Sequence, residues 1–238
     1  MNIFELFNED CLTVLNQMND NTIDLILTDP PYNIGQFAED RGNNLSSLRE
    51  NNFISAQWDN EENEDWLELM NSFFREAARV IKDGGSMVIF TSVLKLDMII
   101  HLAQSHGFYY KTVGVWHKTN PMPRNMNFHF VNSIEQWVYF TYNSKTGTFN
   151  NDNKVIHDFI ETSITPRREK EHGTHPTQKP LALMEHFIKL LSNEGDIILD
   201  PFMGSGSTAV ACKSLNRNFI GIELDKNYFD IACKRVQS

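Results

Sequence analysis

Close to its C-terminus the chain carries a strand, a glycine-rich turn, a helix and a second strand, and almost nothing follows them. Ile197-Ile198-Leu199-Asp200 is the apolar run of a buried strand. The turn Pro201-Phe202-Met203-Gly204-Ser205-Gly206-Ser207 comes next, then a helical stretch from Thr208 to Leu215. Asn218-Phe219-Ile220-Gly221-Ile222-Glu223 is a second strand, ending on a carboxylate. A helix between two such strands returns the chain to the same sheet edge, so the strands are parallel. Only fifteen residues follow Glu223, enough for one helix (Tyr228 to Val236) and no second half-sheet. The remaining strands must come from upstream, which makes the order of the unit circularly permuted.

The turn itself is built for a ligand. Glycines admit positive φ and close backbone approach. Exposed N–H groups at the start of the following helix favour an anionic group. An acid at the position of Glu223 usually binds ribose hydroxyls. Gly204, Gly206 and Ala209 also fit the dinucleotide pattern, so a nicotinamide or flavin enzyme has to be weighed. The missing second half-sheet downstream argues against it.

The upstream half begins at Ile23-Asp24-Leu25-Ile26-Leu27-Thr28, another buried-strand run, followed by Asp29-Pro30-Pro31-Tyr32-Asn33. A carboxylate, a rigid turn and an aromatic ring thus sit at a strand's C-terminal end, where open α/β sheets bind ligands. These groups suit methylation of an amino group on a planar base. Asp29 and the Pro30 carbonyl offer acceptors for its two N–H groups, drawing the nitrogen toward a nucleophilic state. The Tyr32 ring offers a stacking face. Proline has no N–H, so the turn presents acceptors only. A plain strand with a proline turn is the simpler alternative on these residues alone.

Four motifs in order settle between these readings: Asp29-Pro30-Pro31-Tyr32, His175-Pro176-Thr177-Gln178-Lys179-Pro180, Asp200-Pro201-Phe202-Met203-Gly204-Ser205-Gly206 and Gly221-Ile222-Glu223. Together they resemble the β class of S-adenosylmethionine-dependent DNA amino-methyltransferases, in which the D-P-P-Y segment precedes the target-recognition region and the cofactor loop comes last. The resemblance implies a single Rossmann-like α/β domain over residues 1–238, with a mixed, mostly parallel sheet and helices on both faces. It implies catalysis at Asp29, Pro30, Pro31 and Tyr32. It places S-adenosyl-L-methionine among Asp10, Cys11, Asp29, His175, Thr177, Gln178, Lys179, Asp200, Phe202, Gly204, Ser205, Gly206, Ser207, Thr208 and Glu223. Asp10 reads equally well as a helix cap. Aspartate rather than serine before Pro-Pro-Tyr favours the N6 amino group of adenine, flipped out of the duplex, with N4-cytosine as the alternative. RNA N6-adenine and protein-glutamine methyltransferases share the tetrapeptide but usually in unpermuted order. A non-catalytic cofactor-binding subunit would have no need of Asp29 or Tyr32.

Composition bears on partners and compartment. A length of 238 residues suits one domain with a substantial core. The opening Met1-Asn2-Ile3-Phe4-Glu5 has no basic n-region, and no long apolar run exists, so a cytoplasmic protein without a membrane span is expected. Cys11, Cys212 and Cys233 form no C-x-x-C pair and read as buried thiols. None follows a proline as a cysteine nucleophile for C5-cytosine would. His172 and His175 are too few for a metal site. A net charge of −10 is unusual for a protein that binds double-stranded DNA, but it is unevenly spread. Residues 1–80 hold 16 acids against 4 bases, residues 111–180 hold 9 bases against 6 acids. The acids Asp59, Glu61, Glu62, Glu64, Asp65 and Glu68 read as a solvated face. DNA contacts are expected within 118–174, from Lys118, Arg124, Arg167 and Arg168. By resemblance, a homodimer and a cognate restriction endonuclease are further candidate partners.

Local patterns fill in the elements. Strands are expected at Ile3–Phe7, Ser86–Thr91, Tyr109–His117 and Ile134–Tyr142, the last two including an antiparallel edge. Helices are expected at Leu12–Met18, Glu64–Ile81, Leu94–His106 and Pro180–Ser192. The apolar stripe Trp66, Met70, Phe73, Ala77 and Val80 or Ile81 marks the second of these as core-facing, and Gly84-Gly85 is read as its terminator. Residues 34–58 form a long loop, functional or mobile, and 143–174 read as irregular.

Overall fold

The computed structural model describes residues 3–32, 63–123, 127 and 130–238. The expected loop at 34–58, the acids Asp59, Glu61 and Glu62, and Arg124 lie outside the described residues. In chain order the elements are β1 (Phe4–Phe7), α1 (Cys11–Leu15), β2 (Ile23–Thr28), α2 (Asn63–Val80), β3 (Ile81–Thr91), α3 (Leu96–Ser105), β4 (Phe108–Lys118), β5 (Ile134–Tyr142), β6 (Phe159–Thr162), α4 (Leu181–Leu191), β7 (Ile197–Asp200), α5 (Ser207–Ser214), β8 (Asn218–Ile222) and α6 (Lys226–Gln237).

The strands form one sheet ordered β1-β8-β7-β2-β3-β5-β4-β6. Only β5 runs antiparallel to its neighbours, pairing with β3 on one side and β4 on the other. The C-terminal unit β7-α5-β8 lies beside β2, so the permuted order expected from the sequence is the order of the sheet. Helices cover both faces. Val14 and Leu15 of α1, the α2 stripe Trp66, Met70, Phe73 and Ala77, and Ile99 of α3 bury one face with Ile26 and Ile89. Leu183 and Phe187 of α4, Ala209 and Cys212 of α5, and Ala232 of α6 bury the other with Leu25, Leu27 and Phe219. The α2 stripe is fully buried, as its 3.6-residue period requires. Truncating Phe73, which is completely enclosed, would cost about 3–5 kcal/mol.

Three expectations need correction. The helix of the stripe ends at Val80, and Ile81 already pairs with Ile23 in the sheet. The next paired residues are Leu25 and Ser86, so Gly84-Gly85 lies in an excursion inside β3 rather than between helix and strand. The antiparallel strand β5 is internal, and the sheet ends on β1 and β6. Residues 143–174 are not wholly irregular: Phe159–Thr162 pairs in parallel with β4, and Arg167–Lys170 is a 3-10 turn. Only Ile160 of that short strand is buried, which leaves no alternation long enough to read.

Candidate active site

Strands β2 and β7 are neighbours, and the helices described after them, α2 and α5, pack on opposite faces of the sheet. The carboxyl edge between these two strands is the topological switch point of the sheet, where such folds bind ligands. The last residue of β2, Thr28, donates its hydroxyl hydrogen bond to Asp200 at the end of β7, at 2.8 Å. The Asp-Pro-Pro-Tyr turn and the glycine loop are thereby fixed side by side.

The turn after β2 is held from several directions. Tyr32 donates its hydroxyl to Asp29 Oδ1 at 2.6 Å. The buried Trp66 indole donates to the Pro31 carbonyl at 2.7 Å, and the Lys95 ammonium lies 4.5 Å from the Trp66 ring centre. Lys179, whose side chain is only 6% exposed, donates to Asp29 Oδ2 and stands 3.2 Å from Glu135 Oε2. The other Glu135 oxygen is 2.5 Å from the Lys118 ammonium. Two acids and two lysines thus interlock, a charge-balanced arrangement that tolerates burial. Burial, opposed by the Lys179 charge and reinforced by that of Glu135, leaves the Asp29 carboxyl above the usual carboxylate range. The two carboxylates hold Lys179 firmly charged against its desolvation, and Lys179 and Lys118 keep Glu135 ionised.

Asp200 is buried, and among the described residues its partners include no cation. It accepts from the hydroxyls of Thr28 and Thr208, the latter at 2.6 Å, and from the Phe202 N–H at 3.3 Å. Burial outweighs these bonds and pushes its carboxyl up to about 7. The glycine loop starts here. Gly206 has φ +77, and a Cβ on it would meet the Ala232 Cβ at 2.9 Å. Gly204 has φ +53, and a Cβ on it would lie 3.3 Å from His175 Nε2. Side chains help build the turn: the Ser207 hydroxyl donates to the Lys179 carbonyl at 2.7 Å, and Arg235 donates to the Ser205 carbonyl at 2.6 Å and to its hydroxyl at 3.2 Å. Phe202 packs edge-on against Phe73, ring centres 5.7 Å apart.

On the far side of the loop, β1 pairs with β8, which brings Asp10 and Cys11 beside Glu223. Asp10 caps α1 by accepting from the Thr13 N–H at 2.9 Å. Burial and the Asp10 charge push the Cys11 thiol up to about 12. Glu223 accepts from the Gly204 N–H at 2.9 Å and from the Asp225 N–H at 2.8 Å. Burial lifts its carboxyl despite those bonds. The His175 ring packs edge-on against Tyr228 at 4.2 Å, and burial with the nearby Lys179 charge lowers it to about 4, so it is neutral at pH 7. Thr177 approaches His175 Nδ1 with its N–H at 3.3 Å. Gln178 donates to the Glu169 carbonyl at 2.9 Å, leaving its buried carbonyl oxygen without a hydrogen bond.

The structure therefore joins Asp29, Tyr32 and Lys179, and separately Asp10, Cys11, His175, Gly204 and Glu223. Lys118 faces Glu135 inside the first group instead of projecting toward solvent. Arg167 and Arg168 are exposed on the 3-10 turn, and Arg168 shares a surface pocket with Leu181, Glu185 and Val210. Glu135, Trp66 and Arg235 were not singled out from the sequence as site residues. An acid at the head of a strand that turns apolar, Ile134-Glu135-Gln136-Trp137-Val138, was the available signal for the first. Trp66 was read only as core, which it also is. Nothing local marks Arg235.

A family model described as DNA methylase matches residues 23–234. The type II methyltransferase M2.DpnII of Streptococcus pneumoniae is 34% identical over 98% of this chain and 89% of its own length. M.HpaI of Haemophilus parainfluenzae is 33% identical over 98% of this chain and 74% of its own. Among solved structures, the M1.HpyAVI–SAM complex superposes with a TM-score of 0.72 at 32% identity, covering 98% of this chain and all of that one. The PvuII DNA methyltransferase, titled cytosine-N4-specific, shares the fold (TM-score 0.77) at 17% identity, over 99% of this chain and 86% of its own.

Proposed function

The chain belongs to the DNA methylase family, and we propose that it transfers a methyl group from S-adenosyl-L-methionine to the N6 amino group of adenine within a specific duplex sequence, as the modification partner of a restriction system. The observation that carries this reading is the half-buried Asp29, fixed by Tyr32 and Lys179 at the switch point next to the glycine loop. Its relatives carry type II methyltransferase names, which supports the restriction–modification setting. A homodimer, a cognate endonuclease and a cytoplasmic site of action belong to the same proposal.

The cofactor fits the residues present. Glu223 spends one lone pair of each oxygen on a backbone N–H and keeps others for a pair of ribose hydroxyls. Gly204 sits at φ +53, which side-chain-bearing residues rarely adopt, and this leaves bare backbone for a ligand. Bound there, S-adenosylmethionine supplies an electrophilic methyl group. Asp29 and the Pro30 carbonyl accept the two N–H groups of the incoming amine. As the nitrogen–carbon bond forms, the methyl–sulfur bond would break with the thioether as leaving group, one N–H proton must leave, and the raised carboxyl of Asp29 is placed to hold it. Tyr32 fixes the carboxylate orientation, and Trp66 anchors the turn through Pro31. Arg124, Arg167 and Arg168, within 118–174, are the candidates for phosphate contact, while Lys118 is engaged with Glu135.

The test is a transfer assay with a tritiated methyl donor, offered duplex DNA, single-stranded DNA, RNA and glutamine peptides, followed by digestion and chromatography. Label in N6-methyl-2′-deoxyadenosine from duplex DNA is expected. Label in N4-methylcytosine would reassign the base, and label only in RNA or peptide would overturn the proposal.

A further inference from the structure

We infer that Lys179 is a movable counter-ion for Asp29, holding that carboxylate between turnovers and withdrawing onto Glu135 Oε2 when the substrate amine arrives. The inference rests on the amino-methylation reading and adds two positioning residues to it, Lys179 and Glu135. Asp29 has two oxygens, and Tyr32 and Lys179 already occupy one each. Each oxygen keeps a second lone pair, but an ammonium on Oδ2 competes with the amine and drains the electron density that its N–H needs. The second seat is already built. Glu135 Oε2 is fully buried, and its one contact is the Lys179 ammonium at 3.2 Å, an ion pair without good hydrogen-bond geometry. A buried carboxylate oxygen with so weak a partner is costly, and a closer approach of Lys179 would satisfy it. Lys118 holds the opposite oxygen and keeps Oε2 turned inward.

The movement required is small. Lys179 has three donors on a rotatable ammonium, while its backbone carbonyl is pinned by Ser207. The Phe90 ring, 5.0 Å from the ammonium, provides a face that accepts the cation in either position. Total charge is conserved, since the cation moves between two acids that it already neutralises together.

Asp29 is faced by Lys179 from the loop before α4, by Glu135 from β5 with Lys118 of β4 behind it, by Tyr32 of its own turn and by Asp200 of β7. The acid limb of the kcat–pH profile reads that balance. Glu135→Gln removes a repelling charge and leaves Lys179 committed to Asp29. The limb should move down by about one pH unit, and kcat should fall at least about tenfold while the KM for DNA changes little. Lys179→Met removes the attracting charge, so the limb should move up by about one unit. The double variant should return close to the wild-type limb. The same displacements should appear in a carbon-13 NMR titration of the Asp29 carboxyl in the protein alone. Wild-type kcat in Glu135→Gln, or displacement of both single variants in the same direction, would overturn the inference. If the wild type methylates no nucleic acid, the amino-methylation reading fails, and the NMR titration still decides whether the two acids share Lys179. Should Glu135→Gln not fold, Lys179→Met alone carries the test, and an unmoved Asp29 titration refutes it.

Discussion

Two carboxylates at the ends of adjacent strands, Asp29 after β2 and Asp200 in β7, solve burial in opposite ways. Asp29 is held by a tyrosine hydroxyl and a lysine that a second acid shares. Asp200 is held by two threonine hydroxyls and a backbone N–H, with no cation among its partners in the described residues, and its carboxyl rises to about 7. The donors around Asp200 are rooted in β2, α5 and its own loop, so exchanging them would mean moving the fold. The partners of Asp29 include a side chain with somewhere else to go. Of the two sites, the one with an exchangeable partner is suited to receive a substrate, and the one with fixed partners is suited to brace the crevice.

Substitutions can break or sharpen that contrast. The largest effect is expected from Asp29→Ala, which removes the acceptor for the amine. Losing an electrostatic contact made mainly in the transition state costs about 3 kcal/mol, a loss of at least about a hundredfold in kcat, read by single-turnover transfer. Glu223→Ala should come next, weakening S-adenosylmethionine binding by about 1.5–3 kcal/mol on calorimetry, with the turn at Asp29 undisturbed. Unchanged affinity would remove Glu223 from the cofactor site.

The pH dependence of stability separates the two acids further. Because folding raises the Asp200 carboxyl to about 7, above its ordinary value near 4, its contribution is complete below about 4. It is lost as pH rises through about 7. Melting curves of wild type and Asp200→Asn should therefore diverge across that window, with wild type losing ground. His175 has the opposite sign: folding lowers it to about 4, so its stabilisation is present above about 6.5 and lost as pH falls through about 4. A His175→Phe variant should lose that acid sensitivity. Smallest of all, Arg167→Ala/Arg168→Ala should weaken DNA binding several-fold and flatten its salt dependence, read by filter binding, if these exposed residues meet phosphates.

Much of this layout was readable in advance because it rests on period and punctuation. The apolar runs before Asp29 and Asp200, the α2 stripe, and the glycines at 204 and 206 are local signals, and each lies where its pattern placed it. The permuted order followed from the Asp-Pro-Pro-Tyr motif standing upstream of the glycine loop. Glu135 is different. Its meaning depends on a lysine 44 positions away in the chain and on a strand pairing that no local pattern specifies. The ion pair of Lys118 with Glu135 escapes a sequence reading for the same reason, since a lone lysine before a loop gives no hint of an acid on the neighbouring strand. The three-cornered hold on Asp200 likewise joins β2 to α5 across most of the chain. Tertiary charge pairing is where sequence reading ran out.

The most direct test makes the same isosteric change in both acids and measures single-turnover methyl transfer alongside melting temperature. Asp29→Asn should lose transfer by at least about a hundredfold while melting within a few degrees of wild type, because Lys179 retains Glu135 as a partner. Asp200→Asn should show the reverse, a larger melting shift with transfer reduced only several-fold. If Asp29→Asn keeps half of the wild-type rate, Asp29 is not the acceptor that activates the amine, and the account of this crevice fails.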